Sequence, residues 1–208
     1  MQHLRLLRPV LFILLIAVLG AAPGARAESA ADARAMVEKL ANRALTVLAD
    51  KKMTRPAREA EFARLFRTNF HVPSIGVFVL GRHWRRATPA QRKAYLKVFE
   101  TFIVKTYTVR LTKYAGEKFK VLKAAGPDGR GVYTVDSQIQ QPQKSPIPLN
   151  WVIRRAKAGL RVVDIVIENL SMAQTQRDDF AAIIRRNGGS IDGLIKALKQ
   201  KNKTLGTK

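Results

Sequence analysis

The side chains here that invite a search for chemistry are two histidines, a pair of carboxylates and a serine. Beyond residue 27 the histidines are His71 and His83, and no His/Asp/Glu cluster has the spacing of a metal site. There is no cysteine, which removes both thiolate ligands and a disulfide framework. Asp164 and Glu168 stand at even spacing in an alternating apolar stretch. They share one strand face, opposite Val163, Ile165 and Ile167. Two carboxylates can do acid–base work, but unpaired charges in so basic a chain are at home on a solvated sheet face. Ser171 follows a strand without the glycines of a nucleophile elbow, and no Gly-rich phosphate loop occurs. The sequence makes no case for catalysis and none for a cofactor.

Recognition is what remains, and one helix dominates it. In Leu80-Gly81-Arg82-His83-Trp84-Arg85-Arg86-Ala87-Thr88-Pro89-Ala90-Gln91, Thr88 is an N-cap, Pro89 suits the first helical position and Gln91 completes a capping box. The spacing predicts a helix from Pro89 to about Tyr114. Its apolar face is unusually aromatic, with Tyr95, Phe99, Phe102, Tyr107 and Tyr114. Such a face serves a filled core or a lined cavity equally well. Trp84 fits core packing over the helix start or the mouth of a site. Arg82, Arg85 and Arg86 fit a solvated turn or an exposed contact surface.

Helices are also predicted from Glu28 to Asp50, from Thr54 to about Asn69, and from Ser74 to Leu80, the last apolar nearly all round. Gly81 ends it, because it adopts positive φ without a Cβ penalty. After Gly116 the period changes from 3.6 to 2. Four strands follow, carrying Phe119 and Val121; Tyr133, Val135, Ser137 and Ile139; Ile147, Leu149, Trp151 and Ile153; and Val163, Ile165 and Ile167. They read as an antiparallel meander with one apolar face, and the aromatic helix is its expected cover. A helix from about Ala173 to Arg186 and another from Ile191 to Leu198 complete the domain. The lysine-rich segment 199–208 reads as a frayed tail. The fold class is α+β.

Arg5 and Arg8, an apolar run of about ten residues from Val10, and Ala25-Arg26-Ala27 have the form of a secretory signal peptide cleaved before Glu28. The run is too short for a bilayer core of roughly 30 Å. Export is expected. Residues 1–27 hold three arginines and no acid, so the remainder has 35 Lys+Arg against 15 Asp+Glu, a formal +20. Such a field suits nucleic acid or anionic lipid headgroups. Export and the absence of any groove-binding motif argue against nucleic acid.

LGRHWRRATPAQRKAY, with Asp164-Ile165-Val166-Ile167-Glu168-Asn169-Leu170-Ser171-Met172 and Thr175-Gln176-Arg177-Asp178-Asp179-Phe180 in the same order, resembles the MlaC family of periplasmic phospholipid carriers. The likeness runs from roughly Ala35 to Leu198. Val79 to Trp84 and Arg185-Arg186-Asn187-Gly188-Gly189 are closest to its hopanoid-associated HpnM branch. Family members often carry an acid where His71 stands and glycine where Asn169 stands; Asn is the residue best able to replace a left-handed glycine.

The resemblance implies a periplasmic monomer with one lipid-binding domain over 28–198, whose sheet and helices enclose an apolar cavity for a phospholipid or hopanoid. Implied partners are an inner-membrane ABC transporter with an MCE-domain subunit and an outer-membrane lipoprotein complex, met in transient docking. A two-chain lipid has roughly thirty methylenes at about 0.8 kcal/mol each, so a carrier must shelter them from water. On this reading the lining comes from Phe78, Tyr95, Phe99, Phe102, Ile103 and Tyr107 of the helices. The sheet adds Val135, Ile139, Leu149, Trp151, Ile153, Val163 and Ile165. Arg82, Arg85 and Arg86 are left for headgroup or partner. A module with a closed core that docks acidic proteins through its basic surface is the alternative, and a hydrolase a more distant one.

Overall fold

The computed structural model describes residues 28–111 and 117–205. The segment read as a signal peptide, the turn after the long helix and the last three residues lie outside the described residues. The helices begin where short polar side chains can accept from free amides of the first turn. Ser29 and Asp32 form a capping box at α1 (Ala30–Ala49), and Thr54 caps α2 (Arg55–Asn69). At α3 (Val72–Leu80) the acceptor is His71 Nδ1, 3.2 Å from the Ser74 amide. Thr88 and Gln91 close the expected box at α5 (Pro89–Leu111), with N···O distances of 3.0 and 3.2 Å. Ser171 and Ser190 cap α6 (Met172–Arg186) and α7 (Ile191–Thr204).

Three features depart from expectation. Residues Arg82–Arg86 form a short helix, α4, between α3 and α5. Gly81 joins α3 to α4 at φ +58° and ψ −133°. The basic tail is helical to Thr204: Asn202 Nδ2 donates to the Val98 carbonyl at 3.1 Å, and Lys105 Nζ donates to the Asn202 carbonyl at 3.0 Å. Those bonds to α5 hold a lysine-rich turn that its own charge would fray. The third departure is a fifth strand.

The sheet is an antiparallel ribbon in the order β1 (Lys118–Ala125), β2 (Val132–Gln140), β3 (Ile147–Ala156), β4 (Gly159–Ile167), β5 (Leu170–Ser171). The α+β antiparallel class is the one expected. The two-residue β5 escapes a periodicity reading because it is too short to alternate. It returns from β4 through Glu168 and Asn169, at φ +49° and +65°, the signature of a type I′ hairpin turn. Asn169 does take the left-handed conformation. β4 carries a bulge at Val163: Ile153 pairs with Val162 and Val152 with Asp164, so Val163 has no partner of its own.

Apolar residues gather in three clusters rather than one. The first joins α3, α5, α6 and α7 around Tyr95, Phe99, Phe102 and Phe180. The second sets α1, through Ala33, Val37 and Leu40, against Tyr133, Val135, Ile153 and Val162 of the sheet. The third is small and ties α1 and α2 to Val104 of α5. Thus α1 packs directly on β1 and β2, and α6 on β4, while α5 is seated among α7, α2 and α3 and stands off from the sheet. The long helix covers the apolar face across a gap.

Candidate functional site: an apolar cavity between sheet and helices

The gap is a cavity of about 240 Å³, partly open to solvent, where the three clusters fail to merge. Its floor is the sheet, with Phe119, Ile139, Leu149, Trp151, Ile165 and Ile167. These residues share a face because strand side chains alternate, and register places Phe119 opposite Ile139, and Leu149 opposite Ile167. Val163, two positions before Ile165, joins them by the same alternation, and the bulge lets Val162 turn inward as well, under α1. The wall of α5 is Phe99, Ile103, Val104, Tyr107 and Leu111, a stripe at helical spacing.

Polar atoms near the wall are held away from the space. The Trp151 indole N–H donates to Ser137 Oγ at 2.9 Å, and that hydroxyl donates to the Leu149 carbonyl at 3.3 Å. The chain is buried and satisfied, which leaves the ring itself, edge-on to Phe119 at 6.2 Å, facing the cavity. At the end where α5 approaches α6 the lining turns polar, with Tyr107, Asp164 and Gln176. Burial pushes the Tyr107 hydroxyl above its ordinary pKa; Arg110 pulls it down, and Asp164 and Asp179 push it up again.

Eight of the residues predicted from sequence line this space: Phe99, Ile103, Tyr107, Ile139, Leu149, Trp151, Val163 and Ile165. Five do not. Tyr95 and Phe102 turn the other way on α5 and pack on Phe180 of α6, at ring distances of 6.3 and 5.8 Å. The Tyr95 hydroxyl is held by the Gly76 carbonyl at 3.0 Å, and burial drives its pKa upward. Val135 and Ile153 are covered by α1. Phe78 is 43% exposed on α3 and lies under the Arg177 guanidinium, 5.2 Å from the ring centroid.

Sequence reasoning missed the contribution of the first two helices. Leu40, Ala41, Ala44, Leu45 and Leu48 of α1, with Phe62, Leu65 and Phe66 of α2, complete the wall, joined by Phe70 and by Ile75 and Val79 of α3. Their apolar spacing was legible. Nothing in spacing says which apolar stripe borders an opening.

The carboxylate pair dissolves on inspection. Asp164 is not on a solvated face: Oδ1 accepts from the Ile165 and Ala173 amides at 2.8 and 3.0 Å, and Oδ2 accepts from the Ser171 hydroxyl at 2.5 Å. It ties the bulged strand to the start of α6. Glu168 is exposed in the hairpin turn. Arg82, Arg85 and Arg86 are exposed on α4 and do not line the cavity. His83 is buried beneath them, its pKa lowered by burial and by Arg82 and Arg86. Trp84 packs against the first cluster with the Arg92 guanidinium 5.1 Å over its ring. Among the described residues no group of three or more His, Cys, Asp or Glu could hold a metal, and no helix is long and apolar enough to cross a membrane.

Fold and cavity together define an α+β protein in which helices stand off an antiparallel sheet around an open, greasy interior. The chain belongs to the MlaC family, whose model, described as MlaC protein, matches residues 38–200. The toluene tolerance protein ttg2D of Pseudomonas putida is 22% identical over 114 residues, 55% of this chain and 53% of that protein. The chain thus spans about half the length of that relative. Among solved structures, the phospholipid-binding protein from Ralstonia solanacearum, determined in complex with a phospholipid, superposes with a TM-score of 0.71 at 21% identity. The match covers 84% of this chain and 99% of that one, and it establishes a common fold.

Proposed function

We propose that this protein is a periplasmic lipid carrier that shelters the alkyl chains of one phospholipid or hopanoid between sheet and helices. It receives the lipid from one membrane-bound complex and delivers it to another. The observation that carries the reading is the cavity, whose wall is apolar except at one end. An aqueous solute would find almost no partners there, and an alkyl chain would gain about 0.8 kcal/mol per methylene removed from water. At about 240 Å³ the space is somewhat below the usual pocket range of about 300–1,000 Å³. The three clusters meet through the partly buried Ala44, Phe66 and Phe70, all of which line the cavity, and a second chain would widen the space at those contacts.

Family membership and the phospholipid held by the Ralstonia relative support the same ligand class. Export through the N-terminal segment places the carrier between two membranes. Its docking partners there are an inner-membrane ABC transporter with an MCE-domain subunit and an outer-membrane lipoprotein complex. Arg82, Arg85 and Arg86, exposed and apart from the cavity wall, suit contact with an acidic partner surface rather than with a lipid tail. The test is native mass spectrometry of protein purified without detergent, followed by identification of the extracted lipid. One lipid per chain supports the reading; protein that neither contains nor accepts any lipid refutes it.

A further inference from the structure

The polar end of the cavity has a composition at odds with the rest of the molecule. Basic side chains outnumber acidic ones 38 to 15 over the sequence, yet among the described residues no lysine or arginine lines the cavity, and the charged group that does is the Asp164 carboxylate. Gln176 of α6 is the other polar lining residue besides Tyr107, and Asp179 follows it by three positions, on the same helix face. Arg110 stands three positions beyond Tyr107 on α5, its guanidinium 5.8 Å from that ring. Asp164 is fixed by three hydrogen bonds to β4, β5 and α6, so its charge cannot swing away. Two carboxylates and one guanidinium therefore lie around the Tyr107 phenol at this end.

Resting on the carrier reading, we propose that this rim selects the headgroup, favouring a zwitterionic phospholipid with an ammonium group over an anionic one. With alkyl chains among Ile103, Leu149 and Ile165, a headgroup leaving the apolar space meets Asp164 and Asp179 on one side and Arg110 on the other. An ammonium completes the carboxylates while the phosphate faces the guanidinium. A headgroup that carries only negative charge gains Arg110 but opposes both acids, and attraction to the basic surface at large cannot undo a repulsion made at close range.

The experiment loads delipidated protein from mixed vesicles holding equal phosphatidylethanolamine and phosphatidylglycerol with identical acyl chains, at about 0.15 M salt so that surface attraction is screened. Protein is then separated from vesicles and its lipid ratio measured by mass spectrometry. Bound lipid should be enriched in phosphatidylethanolamine about two- to fivefold, the scale of partly exposed ion pairs. Asp179→Asn should bring the ratio close to that of the vesicles, and Asp179→Lys should reverse it. Arg110→Gln should lower uptake of both lipids while the ratio moves little. Equal uptake of the two lipids by the wild type, or a preference for phosphatidylglycerol, overturns the proposal while leaving the carrier intact. An unchanged ratio in both Asp179 variants overturns it as well. Uptake of neither lipid counts against the carrier itself.

Discussion

Ala44 on α1 borders the cavity with only a methyl group, and replacing it by phenylalanine distinguishes an open interior from a filled one by the sign of a single number. In a closed core the added ring forces neighbours off their rotamers and costs about 1–3 kcal/mol. Here it enters apolar space of about 240 Å³. An engineered cavity of about 150 Å³ is enough to hold a benzene molecule, so one phenyl ring fits without moving the sheet. Burying a phenylalanine side chain contributes about 1.5–3 kcal/mol, and the lower helix propensity of Phe relative to Ala takes back about 0.5 kcal/mol. The net expectation is stabilisation of about 1–2.5 kcal/mol. For a chain of this size that is an upward shift in Tm of about 2–10 °C.

The same ring occupies the room of an alkyl chain, so lipid uptake should fall as stability rises. The assay is urea or thermal unfolding of delipidated Ala44→Phe beside delipidated wild type, with lipid loading from vesicles measured in parallel. Delipidation matters because a bound ligand stabilises the native state by mass action and would mask the difference. A destabilised variant that loads lipid as well as the wild type would refute the argument from the cavity.

Other expectations follow from particular contacts. Gly81→Ala should cost about 1–3 kcal/mol, because φ is +58° and the new Cβ would lie 3.0 Å from the Arg177 side chain; chemical denaturation measures it. Ser137→Ala should cost about 1–3 kcal/mol by leaving the buried Trp151 N–H without an acceptor, and Trp151 emission should change with it. Glu61 accepts from Arg64 and Arg43, which together hold its pKa at about 2 against an ordinary 4.5. Its contribution to stability is therefore complete above about pH 4.5 and lost as pH falls toward 2. A pH series of denaturation midpoints should lose slope in that window in Glu61→Gln.

Much of this molecule was legible before any coordinates. Thr88, Pro89 and Gln91 announce the start of α5 because capping is local chemistry, settled within four residues. Strand periodicity put Ile139, Leu149, Trp151 and Ile165 on one face, since alternation is a property of the chain alone. The helix face was harder. Tyr95 and Phe102 belong to the same aromatic stripe as Phe99 and Tyr107; Phe180, arriving from α6, meets Tyr95, Phe99 and Phe102 alike, and only the packed structure decides that Phe99 also borders the cavity while the other two do not. Val162 shares the inner face with Val163 because of a bulge, and the Asp164–Ser171 bond beside it joins residues whose roles read separately as face charge and loop serine.

The amino-acid sequence by itself determined the longer elements, the capped start of α5, the pairing order of the four long strands and the family resemblance. Each of these depends on short-range spacing or on residue order. Whether α5 would press onto the sheet or stand away from it was decided by tertiary structure. Apolar periodicity says only that a face must leave water; it does not say whether another side chain or an empty space will meet it. Here α1 covers one part of the sheet and α6 and α7 cover one side of α5, and no element among the described residues fills what lies between.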